Sequence, residues 1–150
     1  MKKRLSLAEQ KREEERAVGE FLAFFEERRD LSAVIYQEWT AKDVLGHIAS
    51  WHRSFARNLL DAVNGVKPSP FKGTLSEVNE RGVREMSAHT PEQLCRMIAE
   101  AQETISAHIA DPKVTEIAYK KGSRSYSPIE HLEVVRRHID GHLADLRRKA

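Results

Sequence analysis

The stretch "EWTAKDVLGHIASWHRSF" (residues 38–55) predicts a long amphipathic helix with a well-defined first turn. Thr40 is an N-cap residue, and Asp43, three positions later, completes a capping box. At about 100° per residue, the apolar side chains fall on one stripe, made of Val44, Ile48, Trp51, Phe55 and Leu59. A polar row lies beside that stripe, within about 40° of His47, and contains Asp43, Ser54 and Asn58. We therefore predict a helix over 41–64 with a buried apolar face and a polar row along its edge.

Similar patterns before and after this helix predict three more long helices and one short one. Residues 7–29 begin charged and then place Val18, Phe21, Leu22 and Phe25 at helical spacing. A short helix over 75–87 follows the "NGVKPSPFKG" break, and Thr90-Pro91 opens a helix that runs through Ile109. Residues 111–128 predict a loop that can hold a short extended turn, and Ser127-Pro128-Ile129-Glu130 starts a last helix to about 148. The prediction is an all-α, four-helix bundle over residues 1–150 as a single domain, with a short extra helix in the connection between the second and third long helices.

The composition argues against several functional classes. With 25 basic and 23 acidic side chains the net charge is +2, and the clustered arginines near the end are interleaved with acids, so no nucleic-acid partner is expected. The beginning, "MKKRLSLAEQKREEE", has no hydrophobic stretch for a signal peptide, and no apolar run approaches membrane-spanning length. The one cysteine, Cys95, excludes an internal disulfide and fits a small buried side chain better than a nucleophile. We expect a cytoplasmic protein with no membrane partner.

The last helix contains "HIDGHL" (138–143), which places two histidines four residues apart. Taking His138 as zero, the apolar stripe lies between about +60° and +140°, His142 near about +40° and His131 near about +20°. The three histidines thus form one row along the edge of the core face. If this row faces the polar row of His47, the two helices form a pocket with a polar floor and apolar walls, a common design for a ligand site.

Two interpretations of these histidines stay open on pattern alone. Imidazoles at i and i+4 can reach one metal ion, and a third from another helix would leave an open position for water or substrate. Alternatively, they are core-edge histidines hydrogen-bonded to carboxylates. Gly46 and Gly141 each precede a candidate ligand, and either space beside the site or a close helix–helix contact would explain them.

The stretch from Trp39 through the Thr40 cap to His47, together with "HLEVVRRHIDGHLADLRR", resembles the DinB-like superfamily of DinB/YfiT-like bundles. This superfamily includes thiol-dependent maleylpyruvate isomerases, bacillithiol-transferase-type proteins and ClbS/DfsB self-resistance proteins. The segment "FKGTLSEVNERGVREMSAHTPEQL" is also similar to it. The resemblance covers the chain from about residue 15 onward. It implies a four-helix bundle, a homodimer, and one divalent metal (zinc, nickel or iron) held by His47, His138 and His142.

The resemblance implies two main functions and leaves a third. The first is a metal-dependent enzyme, a thiol S-transferase or hydrolase, in which the metal activates a low-molecular-weight thiol or water towards a small electrophilic substrate. The second is a non-catalytic or self-resistance protein that sequesters a small molecule in the same pocket. The third is a structural bundle whose role is dimerisation.

Further residues are candidates for the site, but no motif in the sequence selects among them. Asp43 and His131 are candidates for proton transfer, while Asp140 is expected to point to solvent. His52 and His89 are expected at the surface or in a loop. Candidate substrate contacts are Trp51, Ser54, Asn58, Asn79, Arg124 and Tyr126.

Overall fold

A computed structural model describes residues 4–150. The basic beginning, residues 1–3, which entered the prediction that no signal peptide is present, lies outside the described residues. The elements are α1 (Leu7–Glu26), β1 (Val34–Tyr36), β2 (Trp39–Thr40), α2 (Ala41–Val63), α3 (Leu75–Met86), α4 (Pro91–His108) and α5 (Pro128–Lys149). The predicted all-α bundle and its short extra helix, α3, are confirmed.

Each helix begins where a side chain can satisfy its first backbone N–H groups. The five helix starts within residues 4–150 are capping boxes. In each, the cap hydroxyl accepts from the backbone N–H three residues later, and the side chain of that later residue accepts from the backbone N–H of the cap. For α2 the pair is Thr40 and Asp43, as predicted. The predicted end of the first helix at residue 29 is wrong. The helix stops at Glu26, and Asp30 then accepts hydrogen bonds from the backbone and hydroxyl of Ser32, turning the chain towards β1.

The long helices pack in two close pairs, α2 against α4 and α1 against α5, and α3 covers part of α2. Residues 4–150 thereby form two apolar cores. One is centred on Phe21, Leu45, Ile48 and Ile98, and the other on Leu59, Ile105, Ile117 and Leu132. The backbones of α2 and α5 touch little, so long side chains bridge the interval between these helices. The candidate site lies in that interval.

Short extended pieces are also present between the helices. β1 and β2 form an antiparallel pair in the connection between α1 and α2, with Tyr36 opposite Trp39. In the 111–128 loop, the backbones of Ile117 and Tyr126 exchange two hydrogen bonds, which is the short extended turn that the sequence allowed. Within residues 4–150, no helix has both the length and the apolar character needed to cross a bilayer.

Candidate metal centre

Three histidines from two helices meet at one point between α2 and α5. His47 lies on α2, His138 and His142 lie one turn apart on α5, and one nitrogen of each falls within 4.8 Å of the others. The Nε2 atoms of His47 and His138 are 3.1 Å apart, and those of His138 and His142 are 2.9 Å apart. Imidazole nitrogens bound at about 2.0–2.1 Å to a tetrahedral zinc ion lie about 3.3–3.4 Å apart. The cluster therefore has nearly the dimensions of a three-histidine metal site.

A tyrosine and an aspartate fix the orientation of His142. The Tyr36 hydroxyl donates to Asp145 Oδ2 at 2.6 Å and lies 2.8 Å from Nδ1 of His142. Because the single hydroxyl proton is used on Asp145, the Tyr36 oxygen accepts from an Nδ1–H of His142. Burial, and then the hydrogen bond donated to Asp145, raise the pKa of Tyr36, so the hydroxyl keeps its proton. Nε2 of His142 then presents a lone pair to the cluster, which is the tautomer that metal coordination requires.

His47 is held by packing instead. It is buried, its ring centroid lies 4.8 Å from that of Trp39, and its Nδ1 has no hydrogen-bond partner among residues 4–150. Burial, and to a smaller extent the two neighbouring histidines, lowers the pKa of His47 to about 2. A neutral imidazole is the form that binds metal, so the donor set fits a divalent ion.

A cavity of about 60 Å³ borders the cluster on the side of His138. Trp51, Ser54 and Asn58 of α2 line it, as does His131 of α5, together with Phe55 and Tyr119. Trp51 stacks on Tyr119 at 4.9 Å, and its indole N–H donates to Asn79 at 2.7 Å. The structure thus brings four of the predicted residues to the cavity wall, and Asn79 reaches it through Trp51.

Other sequence candidates lie off the cavity. Asp43 accepts hydrogen bonds from Thr40 in the capping box of α2. Arg124 is exposed, pairs with Glu130 at 2.7 Å and covers the ring of Tyr126. Tyr126 contacts His131 at 5.9 Å between ring centroids but does not line the cavity.

The prediction that His52 lies at the surface is wrong. Its side chain is buried between α1 and α4, where Nε2 lies 2.8 Å from Oε1 of Gln102 and 3.7 Å from Glu14. Because both of these helices pack near α2, the buried face of α2 is wider than the apolar stripe alone indicates. Sequence reasoning also missed Tyr36 and Tyr119, which belong to a hairpin and a loop without helical periodicity.

The two glycines beside candidate ligands differ. A Cβ on Gly46 would lie 3.1 Å from Cβ of Met86, so Gly46 serves the contact between α2 and α3. A Cβ on Gly141 would meet nothing within 4 Å, and the residue is exposed. Gly141 therefore makes no room for the site.

The helical bundle is that of a DinB-like protein, as the resemblance implied. The chain belongs to the family described as mycothiol maleylpyruvate isomerase N-terminal domain, whose model matches residues 12–147. Among solved structures, the mycothiol-dependent maleylpyruvate isomerase has a similar fold, with a TM-score of 0.78, 15% identity and 95% of this chain covered. A histidine-to-alanine mutant of that enzyme gives a TM-score of 0.77 at the same identity. This chain spans 61% of the length of those structures. No curated protein matches it.

Proposed function

We propose that this protein is a metal-dependent enzyme that activates a low-molecular-weight thiol, or a water molecule, for attack on a small electrophile. The observation that carries the proposal is the convergence of His47, His138 and His142 on one point, with Tyr36 fixing the tautomer of His142. Three neutral imidazoles suit zinc, nickel or iron, and a set of three protein ligands is typical of catalytic rather than structural zinc.

A thiol is favoured over water by the relatives. The family and the similar solved structures carry the name of a mycothiol-dependent enzyme. This chain spans 61% of the length of those structures, so we do not assign it the isomerisation for which they are named. S-transfer to the electrophile or its hydrolysis are the reactions that we expect first.

The protein's own cysteine is unsuited to supply the thiol. Cys95 is half-buried against the first apolar core, and burial, followed by the charges of Glu26 and Glu92, raises its pKa to about 11. The thiolate is the reactive form of cysteine, and little of it would exist at neutral pH. An external thiol is therefore the natural partner of this site.

Each part of the site has a separate task in this proposal. A bound divalent metal would lower the pKa of a coordinated thiol or water and so supply the nucleophile. Trp51, Ser54 and Asn58 hold the electrophile in the cavity, and their mostly apolar surroundings exclude bulk water. Of the two candidates for proton transfer, Asp43 is engaged in a helix cap, whereas His131 lines the cavity. Asp43 is therefore unsuited to proton transfer in the cavity.

Cobalt(II) substitution tests the proposal directly. Adding cobalt to the chelated protein, and then a small thiol, should produce a thiolate-to-cobalt charge-transfer band at one thiol per chain. The band should be absent from the double variant His138→Ala/His142→Ala and present in His108→Ala, which removes a histidine of α4 outside the cluster. Cobalt binding without a thiol-dependent band would contradict a thiol partner. It would leave water as the nucleophile.

The sequestering function makes a different prediction in the same experiment. A binding protein of this fold would hold a small molecule in the cavity with no metal present. Its affinity for that molecule would be unchanged in the double histidine variant.

We also propose a single domain, a homodimer and a cytoplasmic location, and light scattering of the purified chain measures the assembly state.

A further inference from the structure

Two residues that line the cavity beside His138 have buried polar atoms with no hydrogen-bond partner among residues 4–150. Asn58 is 2% exposed, and its Oδ1 atom accepts no hydrogen bond from residues 4–150. The orientation of its amide follows from its neighbours, because Nδ2 donates to the Ala118 carbonyl at 3.2 Å and faces Ser54 Oγ at 3.4 Å. Oδ1 is therefore an acceptor without a partner among these residues, on a side chain that lines the cavity.

His131 is the second such group. It is 3% exposed and lies among aromatic rings, with the Phe55 centroid 4.2 Å from its own. Its Nδ1 is buried without a partner, and no hydrogen bond joins either of its ring nitrogens to residues 4–150. Buried polar groups are nearly always hydrogen-bonded in proteins, so two spare ones in one small cavity indicate a ligand that bonds to them.

The same wall carries no formal charge. Among the described residues that line the cavity there is no Lys, Arg, Asp or Glu. Burial lowers the pKa of both His52 and His131 to about 4, so these rings are neutral at pH 7. A carboxylate held at the Asn58 and His131 end of the cavity would lose hydration without gaining a cation in return, which is costly. The proposed metal lies at the other end, beside His138.

We infer that the cavity binds a small uncharged electrophile whose hydrogen-bonding end, such as an amide or hydroxyl group, donates to Asn58 and pairs with His131, and that it selects against carboxylates. The electrophilic character of the ligand rests on the proposed function, in which the reacting end of the molecule would face His138. At 1.5 Å per residue, His131 and His138 are about 10 Å apart along α5. The volume of about 60 Å³ accommodates roughly four or five water molecules, hence a compact ligand.

Crotonamide and crotonate form a matched pair of probes, because they have the same shape and differ in charge. Each is titrated into the chelated full-length protein, with the indole N–H resonance of Trp51 as the signal from the cavity wall. Chelation separates this inference from the metal site, since a failure of the histidines to bind metal would leave the probe preference unchanged. We expect crotonamide to bind at least about tenfold more tightly than crotonate.

Variants of the two spare groups test the recognition itself. Asn58→Leu and His131→Phe should each weaken crotonamide binding about two- to tenfold, as expected for one neutral hydrogen bond. Asn64→Leu and His108→Phe, which change the same residue types outside the cavity, should bind like the unmodified protein. Circular dichroism checks that each variant is folded, and if one is not, the comparison of the two probes on the unmodified protein decides.

Three results would overturn the inference. They are crotonate binding as tightly as crotonamide, a Trp51 signal that neither probe moves, and folded Asn58 and His131 variants with unchanged affinity for crotonamide.

Discussion

The hydroxyl of Tyr36 joins the carboxylate of Asp145 to the imidazole of His142. Such a partner orients a ligating imidazole and increases its basicity, and its loss commonly reduces metal affinity about 10- to 100-fold. We predict a loss of that size for Tyr36→Phe, which removes the hydroxyl and keeps the ring. Competition with a fluorescent zinc chelator measures it.

Tyr126→Phe is the matched control, because Tyr126 contacts His131 and Tyr119 but none of the three clustered histidines. It should bind zinc like the unmodified protein. Equal zinc affinity in Tyr36→Phe would show that the Tyr36 hydroxyl has no part in holding the ligand.

The carboxyl group of Glu14 makes the stability of the protein depend on pH. Glu14 is fully buried, accepts from Gln102 Nε2 at 2.6 Å, and has a pKa raised to about 8, chiefly by burial. Between pH 4.5 and 8 the folded chain therefore binds more protons at Glu14 than the unfolded chain does, so this residue lowers stability as pH rises. His52 has the opposite effect, since its pKa is lowered to about 4 and stability falls as pH drops below about 6.5.

Glu14→Gln should remove the high-pH penalty and keep an oxygen for Gln102. We predict that the variant gains free energy of unfolding at pH 8.5 relative to pH 5, by up to a few kcal/mol. Urea unfolding at the two pH values provides the measurement, and the exposed Glu103→Gln is the control. A gain that is equal at both pH values would mean that Glu14 titrates normally in the folded protein.

At the scale of elements, the beginnings of helices were the most predictable feature. Thr40 with Asp43, and Ser127 with Glu130, were recognisable because a capping box is a local pattern. The end of α1 and the hairpin were not, because they depend on how the chain turns at Asp30 and on what Tyr36 meets on α5. Local sequence defines a helix start better than it defines a contact across the bundle.

Two helix glycines give opposite predictions for the same substitution. Gly141→Ala should stabilise the protein by about 0.5–1 kcal/mol, because a Cβ there meets nothing and alanine favours the helix. Gly82→Ala should destabilise it by about 1–3 kcal/mol, because its Cβ would lie 2.6 Å from Ser50 Oγ and push α3 from α2. Thermal unfolding measures both. Loss of metal binding in Gly141→Ala would contradict its placement away from the site.

At the scale of the whole molecule, the site depends on two helices whose backbones touch little. Periodicity placed His47, His138 and His142 at the edges of apolar stripes, and the resemblance to the DinB-like superfamily implied that the three meet. The sequence did not predict Tyr36, Tyr119 or the burial of His52, since each depends on which elements pack together. The periodicity of one helix shows which face is buried, and the neighbours of that face appear only in the folded bundle.

Metal content is the most direct test of the central claim that the three histidines form a metal centre. The chain is purified without a histidine tag or chelator, and metals are measured by mass spectrometry. We predict close to one divalent zinc, nickel or iron ion per chain, its loss in His138→Ala/His142→Ala, and its retention in His108→Ala. A metal-free protein that neither takes up added zinc nor changes in stability when His138 and His142 are replaced would show that the three histidines do not form a metal centre.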